Sequence, residues 1–580
     1  MVSTGIKNIN YSPGIALFSL FVVPLGRFFE ISLKMKSLIY TFFLAFLIVL
    51  GASAQKHSGH NAAISRNLEI LNDIYKQLYI FYVDTLDADT VIGWGIRSLL
   101  RQVDPFTDYY PQEDEELRQM TTGKYAGIGS TIRFHKKQNC SVISEPFENS
   151  PSDRSGLKAG DMILRIDGKD VKGWPTTKVT GLLRGEAGTT FELVVRRGGE
   201  EKVFHITRQT IQTPDIPYYG LIGNGIGYIC LTGFTDGACK EVRQALTELK
   251  QQGADKMVLD LRGNPGGSVT EAVDIVNLFV PKGRKVVYTR GKMKYTEHDY
   301  YTAYEPVDTL MPLVVLIDGI SASASEIVAG SLQDMDHAVV MGIRSYGKGL
   351  VQMVRDVPYD GHLKITTGRY YIPSGRCIQA YDYRHLNADG SAGTEPDSLT
   401  KVFHTAGGRE VRDGGGIKPD VEVKPDSLPT LIYDLVSSDE FFDWATDYCS
   451  HHEQIAPAGK ITLTDEEYNQ FVEYITESGF KYNRRSEELL KVLRDVAKRE
   501  GYLEQAEQEF EALQAKFSPN LSTDLLRFRK EIETYIVDEL AHRYYYDRGG
   551  VKQQLSDDPC IERVKDLFSN ADEFNNILGK

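Results

Sequence analysis

Short apolar runs alternate with amphipathic stretches through the middle of the chain. The runs at 257–261 (MVLDL) and 312–318 (PLVVLID) have the length and continuity of buried strands. Before the first of these runs, residues 238–251 repeat apolar side chains at helical spacing. Strands that alternate with helices favour crossover units and a largely parallel sheet. The pattern therefore predicts an α/β core over residues 209–425.

The pattern changes on both sides of this core. Residues 62–121 carry two helical repeats of apolar positions, which predicts an N-terminal helical segment. Residues 122–208 carry short alternating runs between glycine turns, as is typical of a small β-rich domain. Residues 426–580 are rich in Glu, Lys and Tyr, and helical stretches at 487–499 and 525–541 predict a C-terminal α-helical extension. A chain of 580 residues is expected to hold three or four such units.

The start of the chain has the pattern of a targeting signal. Residues 35–54 combine a charged start, an uncharged apolar run and the small-residue site Ala52-Ser53-Ala54, the order of a signal peptide and its cleavage site. We therefore expect a periplasmic or secreted protein whose true start is Met35, and residues 1–34 stay unassigned. The alternative, favoured if translation starts at Met1, is an uncleaved segment that anchors the chain to the inner membrane.

Composition and charge exclude several classes of function. The chain is 41% hydrophobic and 25% charged, a globular composition, and its net charge is −14. An acidic balance argues against nucleic acid as a partner, because phosphate binding needs a basic surface. The six cysteines form no C-x-x-C pair and no H-E-x-x-H motif is present, so the spacing of a metal site is missing.

The hexapeptide from Ser321 to Glu326 (SASASE) lies where the run at 312–318 gives way to a helical pattern. Ser323 falls at the turn, where backbone N–H groups lack helical partners and the helix dipole favours negative charge. An acyl-transfer enzyme needs its nucleophile there, because the N–H after the serine can face a developing oxyanion. A structural interpretation is also open, since Ser323 and Glu326 have the spacing of a helix capping box.

A lysine between two glycines follows the next apolar run, at 337–342. Lys348 comes after a predicted strand in the same sense as Ser323, and Gln352 lies just beyond it. Together, SASASEIVAGSLQD and YGKG..Q resemble the carboxyl-terminal processing proteases, also called tail-specific proteases, in which a serine and a lysine form the catalytic pair. The resemblance extends, with gaps, over residues 67–423.

The resemblance implies a role for each matching residue. The nucleophile falls on Ser323, the base on Lys348, and the residue that orients the base on Gln352. The oxyanion hole falls on the N–H groups of Gly267, in a glycine-rich loop after a predicted strand, and of Ala324. No metal or organic cofactor is required, and the core is expected to share the fold of the crotonase and Clp-type proteins.

Residues 122–208 resemble a PDZ domain of the protease-associated kind. The resemblance implies that a loop binds the carboxylate of a peptide's C terminus, while the peptide adds a strand to the sheet edge. That loop consists of Tyr125, Ala126, Gly127, Ile128 and Gly129. One departure is Ser152, where such domains commonly carry alanine. The alternative is a small β-domain whose glycines only form turns.

The sequence thus predicts an exported serine endopeptidase that binds protein C termini and processes or degrades envelope proteins. A Ser–His–Asp triad is disfavoured, because neither His337 nor His362, the nearest histidines, lies in a recognisable motif. The competing hypothesis is a catalytically inactive periplasmic protein that binds peptides through its PDZ domain. The extension at 426–580 is expected to bind an adaptor or to self-associate, or else only to cover the core.

Overall fold

The computed structural model describes residues 61–111, 122–387, 389–394, 396–425, 427–482, 484–517 and 520–580. The predicted signal peptide and the unassigned segment before it lie outside these ranges. The chain divides into two units after Ser98. The first contains helix α1 at 61–81 and most of α2 (Ala88–Arg101), joined by a hydrogen bond from Tyr75 Oη to Ala88 O at 2.8 Å. None of the helices in the described ranges has both the length and the apolar character needed to cross a bilayer.

The second unit begins with strand β1 (Asp108–Tyr110) and a β-rich domain. The elements of this domain are β2 (Lys124–Gly127), β3 (Ser130–His135), β4 (Cys140–Pro146), α3 (Pro151–Arg154), β5 (Met162–Ile166), β6 (Lys169–Asp170), α4 (Thr176–Leu183), β7 (Thr190–Arg197), β8 (Glu200–Thr207) and β9 (Gln209–Gln212). Five strands form an antiparallel sheet in the order β3-β4-β5-β7-β8, with β6 added to β5, and β2 pairs with β9. Strand β3 therefore stands at a sheet edge, with α4 beside it.

The α/β core follows. Its elements are β10 (Tyr218–Leu221), β11 (Ile226–Cys230), α5 (Ala238–Gln251), β12 (Lys256–Asp260), α6 (Val269–Val276), β13 (Lys285–Gly291), β14 (Asp299–Tyr301), β15 (Leu313–Ile317), α7 (Ala324–Asp334), β16 (Ala338–Gly342), β17 (Leu350–Val357), β18 (Gly361–Tyr371), β19 (Tyr381–Leu386), β20 (Ala392–Thr394), β21 (Val402–His404), β22 (Glu410–Arg412) and β23 (Val421–Glu422).

The main sheet of the core runs in the order β10-β11-β12-β15-β16-β23 and is parallel except for β10. Strands β11, β15 and β16 are buried along their whole length, which explains why they are continuous apolar runs in the sequence. The registers pair Asp260 with Leu316 and Ile317 with Gly342, so β12, β15 and β16 end at the same edge. The predicted α/β fold is confirmed, and the loops after these three strands share one side of the sheet.

The core also contains a second sheet, whose strands alternate in the sequence with those of the first. It has the order β1-β18-β13-β14, with β17 added to β18, and its pairings are antiparallel. Strands β17 and β18 carry the residues that follow Lys348 in the sequence. This sheet therefore positions Gln352 and Tyr370 next to the loop that contains the lysine.

The C-terminal helices follow the core, and the last two of them cover one face of the main sheet. They are α8 (Thr430–Val436), α9 (Asp439–His451), α10 (Asp465–Glu477), α11 (Arg485–Glu500), α12 (Leu503–Phe517), α13 (Leu521–Arg527), α14 (Arg529–Gln554), α15 (Pro559–Ser569) and α16 (Ala571–Ile577). Val564, Leu567 and Phe574 of α15 and α16 pack against Val258 and Leu316 of the sheet. The other face of the sheet packs against α5, α6 and α7. The predicted α-helical extension is present, and its last two helices complete the core.

The helix predicted over 525–541 differs from the structure. The chain breaks at Phe528, between α13 and α14, and α14 itself is kinked at Tyr546, which has φ 58° and ψ −170°. The break at Phe528 lies inside the predicted range, whereas the kink at Tyr546 lies beyond it. The kink turns the second half of α14 back on the first, as shown by the hydrogen bond from Gln554 to Asp538.

Helix α9 contacts the β-rich domain through an aromatic side chain, in addition to ion pairs of Asp439 and Glu440 with Arg133 and Lys137. Phe442 is 4% exposed and packs on Cys140 and Val142 of strand β4. The guanidinium groups of Arg133 and Arg543 lie over its ring at 4.9 Å and 4.6 Å. Burial of an aromatic ring between two cations fixes the domain against the helices.

Replacing Phe442 by alanine is expected to loosen this contact, because truncating a buried phenylalanine costs about 3–5 kcal/mol. Hydrogen exchange should show faster exchange of the β3 and β4 amides in Phe442→Ala, with little change in the main sheet. Tyr433→Ala removes an exposed ring of helix α8, which is 59% accessible, and serves as the control. Equal protection of β3 and β4 in the two variants would contradict the assigned role of Phe442.

Candidate active site

The main sheet places Ser323 at the turn between β15 and α7. Ser323 has φ 54° and ψ −111°, a backbone conformation that L-residues rarely adopt. Strained residues of this kind persist only where the surroundings hold them, and they occur often at functional sites. The turn resembles the sharp strand-to-helix elbow that exposes a nucleophile above a sheet.

The three serines of the hexapeptide have different environments. Ser321 Oγ donates to Leu261 O at 2.8 Å, and Ser325 Oγ donates to Asn264 O at 2.9 Å. Both of these serines are fully buried, whereas Ser323 is only half-buried. Ser321 and Ser325 thus join the turn to the glycine-rich loop, whereas Ser323, the cap residue of α7, is partly accessible and makes no bond to that loop.

The glycine-rich loop after β12 packs directly on this turn. A methyl group at Gly266 would lie 2.8 Å from Cβ of Ser323 and 2.9 Å from the backbone nitrogen of Ala324, so the close approach requires glycine. Gly267 packs against Phe234. The carbonyl oxygen of Phe234 accepts a hydrogen bond from the N–H of Ser268, the residue after Gly267. Among the described residues, neither Gly267 N nor Ala324 N donates to a protein acceptor.

Lys348 lies in the loop after β16, with its side chain largely screened from solvent. Its Nζ is 4.4 Å from the centroid of the Phe106 ring. Burial and the charge of Lys364 lower the pKa of Lys348 below its ordinary 10.5, while the carboxylates of Glu326 and Asp104 act in the opposite direction. In the part of the chain that is described, the Lys348 ammonium and the Ser323 hydroxyl are not hydrogen-bonded to each other.

A buried carboxylate joins the serine turn to the lysine loop. Glu326 is 0% exposed, and its Oε2 accepts from Ser323 N and Lys348 N, both at 2.9 Å. Its Oε1 accepts from Gly347 N at 2.7 Å and from Ser345 Oγ at 2.5 Å. Burial raises the pKa of Glu326 to about 7, although these four donors favour the charged form. The capping-box spacing is therefore only one part of what Glu326 does.

Tyr370 of strand β18 makes a second connection between the same two segments. Its Oη contacts the carbonyl oxygens of Ser323, at 3.2 Å, and of Lys348. The side chain is 1% exposed, and burial raises its pKa well above 10. Sequence reasoning missed this residue, because a tyrosine in a strand gives no signal of a contact made 47 residues away in the chain.

Gln352 lies on strand β17 and takes part in a chain of polar side chains. Its Nε2 donates to Thr366 Oγ1 at 3.2 Å, and Thr366 N donates to Thr107 Oγ1 at 3.2 Å. Thr107 Oγ1 in turn donates to Asp104 at 3.0 Å. Gln352 makes no direct hydrogen bond to Lys348 within the described residues. The structure therefore places Gln352 beside the lysine loop without joining the two side chains.

The five residues predicted to bind a peptide carboxylate are divided between a strand and a turn. Tyr125, Ala126 and Gly127 belong to β2, which pairs with β9, so they are not a free loop. Ile128 and Gly129 form the connection to β3. Neither Ile128 N nor Gly129 N donates to an acceptor in the described protein. Two N–H groups at the start of an edge strand are the arrangement that a terminal carboxylate requires.

Two serine hydroxyls hold the turn at Gly129. Ser150 Oγ and Ser152 Oγ donate to Gly129 O at 2.8 Å and 2.5 Å. Gly129 has φ +74°, and a methyl group there would lie 2.4 Å from Cβ of Ser150. Compared with alanine, the serine at 152 therefore adds a hydrogen bond that holds the turn, because its hydroxyl donates directly to Gly129 O.

Only one group of side chains in the described ranges is close enough to hold a metal ion. It consists of Glu145, His542 and Asp547, on strand β4 and helix α14. The loops that carry Ser323 and Lys348 contribute no residue to it. The groups present near the serine turn are a hydroxyl, a buried amine and two backbone N–H groups.

Three protein-family models match the α/β core, the β-rich domain and the C-terminal helices. The model of peptidase family S41 matches residues 225–399, a PDZ domain model matches 142–197, and the model described as probable PDZ-protease, C-terminal helical domain, matches 431–568. The photosystem II D1 C-terminal processing protease has a solved structure that is 26% identical, with a TM-score of 0.34, over 61% of this chain and 86% of that one.

The matches to two curated relatives cover most of the length of each relative. The carboxy-terminal-processing protease of Bartonella bacilliformis is 33% identical over 345 residues, which are 58% of this chain and 78% of the relative. A probable CtpA-like serine protease of Staphylococcus aureus is 29% identical over 451 residues, 76% of this chain and 88% of the relative. The range that matches the peptidase S41 model includes the serine turn and the lysine loop, and the PDZ model matches most of the β-rich domain. The chain therefore belongs to the carboxyl-terminal processing proteases of peptidase family S41, and it is a PDZ-containing serine-type peptidase.

Proposed function

We propose that the chain is an exported endopeptidase in which Ser323 and Lys348 form the catalytic pair. Ser323 attacks the scissile carbonyl, while neutral Lys348 accepts its proton and later returns it to the leaving amine. The N–H groups of Gly267 and Ala324 donate to the oxyanion. The observation that carries this proposal is the environment of the three serines, because Ser321 and Ser325 are buried and donate to the glycine-rich segment, whereas Ser323 is partly accessible and makes no such bond.

The environment of Lys348 supports its role as the base. A lysine accepts a proton only in its neutral form, and burial together with Lys364 favours that form. Hydrogen bonds between a base and its nucleophile are often long in the absence of substrate and form in the substrate complex. We propose that the Lys348 side chain leaves the Phe106 ring and reaches Ser323 when substrate binds. Gln352, on the neighbouring strand β17, would then orient the Lys348 side chain.

The PDZ domain supplies substrate selection in this proposal. A peptide C terminus would bind at the N–H groups of Ile128 and Gly129 and extend along the free edge of β3. The ring of Tyr125, which lies 4.8 Å from the Arg184 guanidinium, stands at the same end of the strand. A cation beside a carboxylate-binding turn favours the charged form of the ligand.

Export and the choice of substrates follow from the N-terminal pattern. Cleavage after Ala54 would leave a mature chain that starts at Gln55 and reaches the periplasm or the medium, where envelope proteins are the available substrates. The adaptor or self-association role of the C-terminal helices stays a prediction. Their contacts with the main sheet and with the PDZ domain support a structural role in addition.

Replacing Ser323 by alanine should abolish cleavage of an unstructured protein, and Lys348→Arg should be nearly as inactive as Lys348→Ala. A guanidinium does not lose its proton in proteins, so arginine cannot replace the base despite its similar size. A loss of about 10²–10⁴-fold in kcat is expected for the lysine variants. Initial rates with the purified protein measure the effect.

Ser331→Ala is the matched control for the serine. It removes another buried hydroxyl of helix α7, which donates to Val286 O at 2.9 Å away from the turn, and should retain most of the activity. Substantial cleavage by Lys348→Arg would overturn the catalytic pair. A wild-type chain that binds peptides but cleaves none would support the inactive peptide-binding protein instead.

The pH dependence of cleavage should respond to Lys364. Its positive charge lowers the pKa of Lys348, so Lys364→Gln removes that effect and raises the pKa of the base. The neutral fraction of Lys348 then falls at any given pH, and the rising limb of kcat/KM against pH moves to higher pH. Lys285→Gln, on the same sheet but paired with Asp299, should leave the limb in place. An unchanged limb in Lys364→Gln would remove Lys348 as its source.

Peptide substrates with a free C terminus should be cleaved faster than the same peptides with a C-terminal amide. Gly129→Ala should erase this difference, because the methyl group clashes with Ser150 and displaces the N–H groups of the turn. Gly168→Ala is the matched control: its φ of +72° imposes similar backbone strain, but nothing lies within 4 Å of the added methyl group. Equal turnover of acid and amide by the wild-type chain would contradict carboxylate recognition.

A further inference from the structure

Helix α14 meets strand β4 of the PDZ domain at one histidine and two acidic side chains. Glu145 comes from β4, whereas His542 and Asp547 come from either side of the kink in α14. One oxygen or nitrogen atom of each lies within 4.8 Å of the others. His542 Nδ1 is 3.6 Å from Glu145 Oε1 and 3.5 Å from Asp547 Oδ1. Both separations exceed the N–H···O range of about 2.7–3.2 Å.

The separations fit a shared ion better than direct hydrogen bonds. Zinc binds histidine nitrogen and carboxylate oxygen at about 2.0–2.2 Å, usually with tetrahedral geometry. Two ligand atoms placed about 2.1 Å from one ion at a tetrahedral angle are roughly 3.4 Å apart. The distances from His542 Nδ1 to the two carboxylates are close to this value, so little movement would be needed to bind an ion.

A further carboxylate faces the other nitrogen of the histidine. Asp538 Oδ1 is 3.8 Å from His542 Nε2, and Gln554 Nε2 donates to both oxygens of Asp538, at 3.0 and 3.1 Å. A histidine that binds metal through one ring nitrogen usually has the other directed at a carboxylate, which orients the ring. Asp538 therefore faces the ring nitrogen that is turned away from Glu145 and Asp547, and Gln554 holds Asp538 in place.

The backbone makes room for the ring at this place. A methyl group at Gly550 would lie only 2.0 Å from His542 Nε2, so the second half of α14 reaches the imidazole only because residue 550 is glycine. The kink at Tyr546 brings the two halves together, and Tyr546 Oη donates to Asp153 of the PDZ domain at 2.9 Å. The histidine is thus enclosed on one side and open toward the two carboxylates.

The charge of the group also calls for a cation. Glu145, Asp538 and Asp547 contribute three negative charges around one imidazole, which leaves −3 + 1 = −2 even when the ring is protonated. The arginines that flank the kink do not neutralise it, since each is paired with a different glutamate: Arg543 with Glu539, and Arg548 with Glu148.

We propose that Glu145, His542 and Asp547 bind a divalent first-row transition metal ion of the zinc class. The ligand atoms are His542 Nδ1 and one oxygen from each carboxylate, and water completes the coordination. A mixed nitrogen and oxygen set of this kind suits Zn²⁺ and its neighbours better than Ca²⁺ or Mg²⁺, which prefer oxygen alone.

The site joins two domains, and its role follows from that position. Glu145 belongs to the PDZ domain, whereas both other ligands belong to the C-terminal helical domain. Metal binding therefore stabilises the contact that Phe442 also makes and fixes the orientation of the peptide-binding edge. This role does not depend on the assignment of Ser323 and Lys348, so it is tested by binding and not by catalysis.

The test uses the full chain without an affinity tag, stripped with a chelator and titrated with Co²⁺, whose visible absorption reports coordination by protein ligands. Wild-type protein is expected to show a saturable absorption band that Zn²⁺ removes by competition. Asp547→Asn changes the most exposed ligand and should weaken Co²⁺ binding at least tenfold without unfolding the chain. His542→Asn should abolish the band, and Asp538→Asn should weaken binding about 10–100-fold.

His362→Asn is the matched control, because His362 faces Asp356 at 3.1 Å in another histidine–aspartate pair. This variant should bind Co²⁺ like the wild type. A Zn²⁺-dependent rise in Tm that is present in wild type and His362→Asn but lost in Asp547→Asn would support the site through a second readout. Absence of the band in wild type, or its persistence with unchanged affinity in His542→Asn and Asp547→Asn, would overturn the proposal.

Discussion

The buried carboxylate of Glu326 is the interaction on which the serine turn and the lysine loop depend. A carboxylate without water must have its oxygens satisfied by protein donors, and three backbone N–H groups with one hydroxyl supply them. Two of those N–H groups belong to Ser323 and Lys348 themselves. Any movement of either segment would leave a buried charge with fewer donors, so the two proposed catalytic residues are held at a fixed backbone separation.

The same network extends beyond the turn. Ser345 Oγ donates to Glu326 and also accepts from Ile417 N at 2.6 Å, so the segment that closes the core contributes to the position of Lys348. On the other side, Arg262 at the base of the glycine-rich loop pairs with Asp260 and with Asp558, the residue that caps helix α15. The C-terminal helices therefore contact the main sheet through its apolar face and through the loop that carries Gly267.

The elements that the sequence predicts well are those with one dominant local cause. Buried parallel strands are apolar runs because both of their faces are covered, and helix α5 has the predicted bounds, Ala238–Gln251. Tyr125, Ala126 and Gly127 of β2 are predicted as a loop, and the structure differs because their partner strand, β9, lies more than eighty positions later in the chain. Periodicity cannot report such pairing.

The candidate site divides in the same way. The position of Ser323 follows from a local strand–turn–helix pattern, which is visible in the hexapeptide. The contact of Glu326 with Ser323 follows from the capping-box spacing, whereas the contacts of Glu326 with the lysine loop and those of Tyr370 and Gln352 are tertiary and are not revealed by spacing. The Glu145, His542 and Asp547 cluster is the extreme case, because its members come from two domains and only the folded chain brings them together. Local sequence patterns thus indicate which residues are candidates for the site, whereas the contacts of those residues depend on parts of the chain that are distant in sequence.

The charge balance around Lys348 shows why both kinds of information matter. Burial favours the uncharged forms of Lys348 and Glu326 alike, lowering the pKa of the first and raising that of the second. Ionised Glu326 would stabilise the ammonium and oppose base catalysis, but its oxygens are directed at backbone donors and not at Nζ. Lys364 acts in the other direction, by repulsion. The carboxylate can therefore organise the backbone of the site without becoming the ion-pair partner that would keep the lysine protonated.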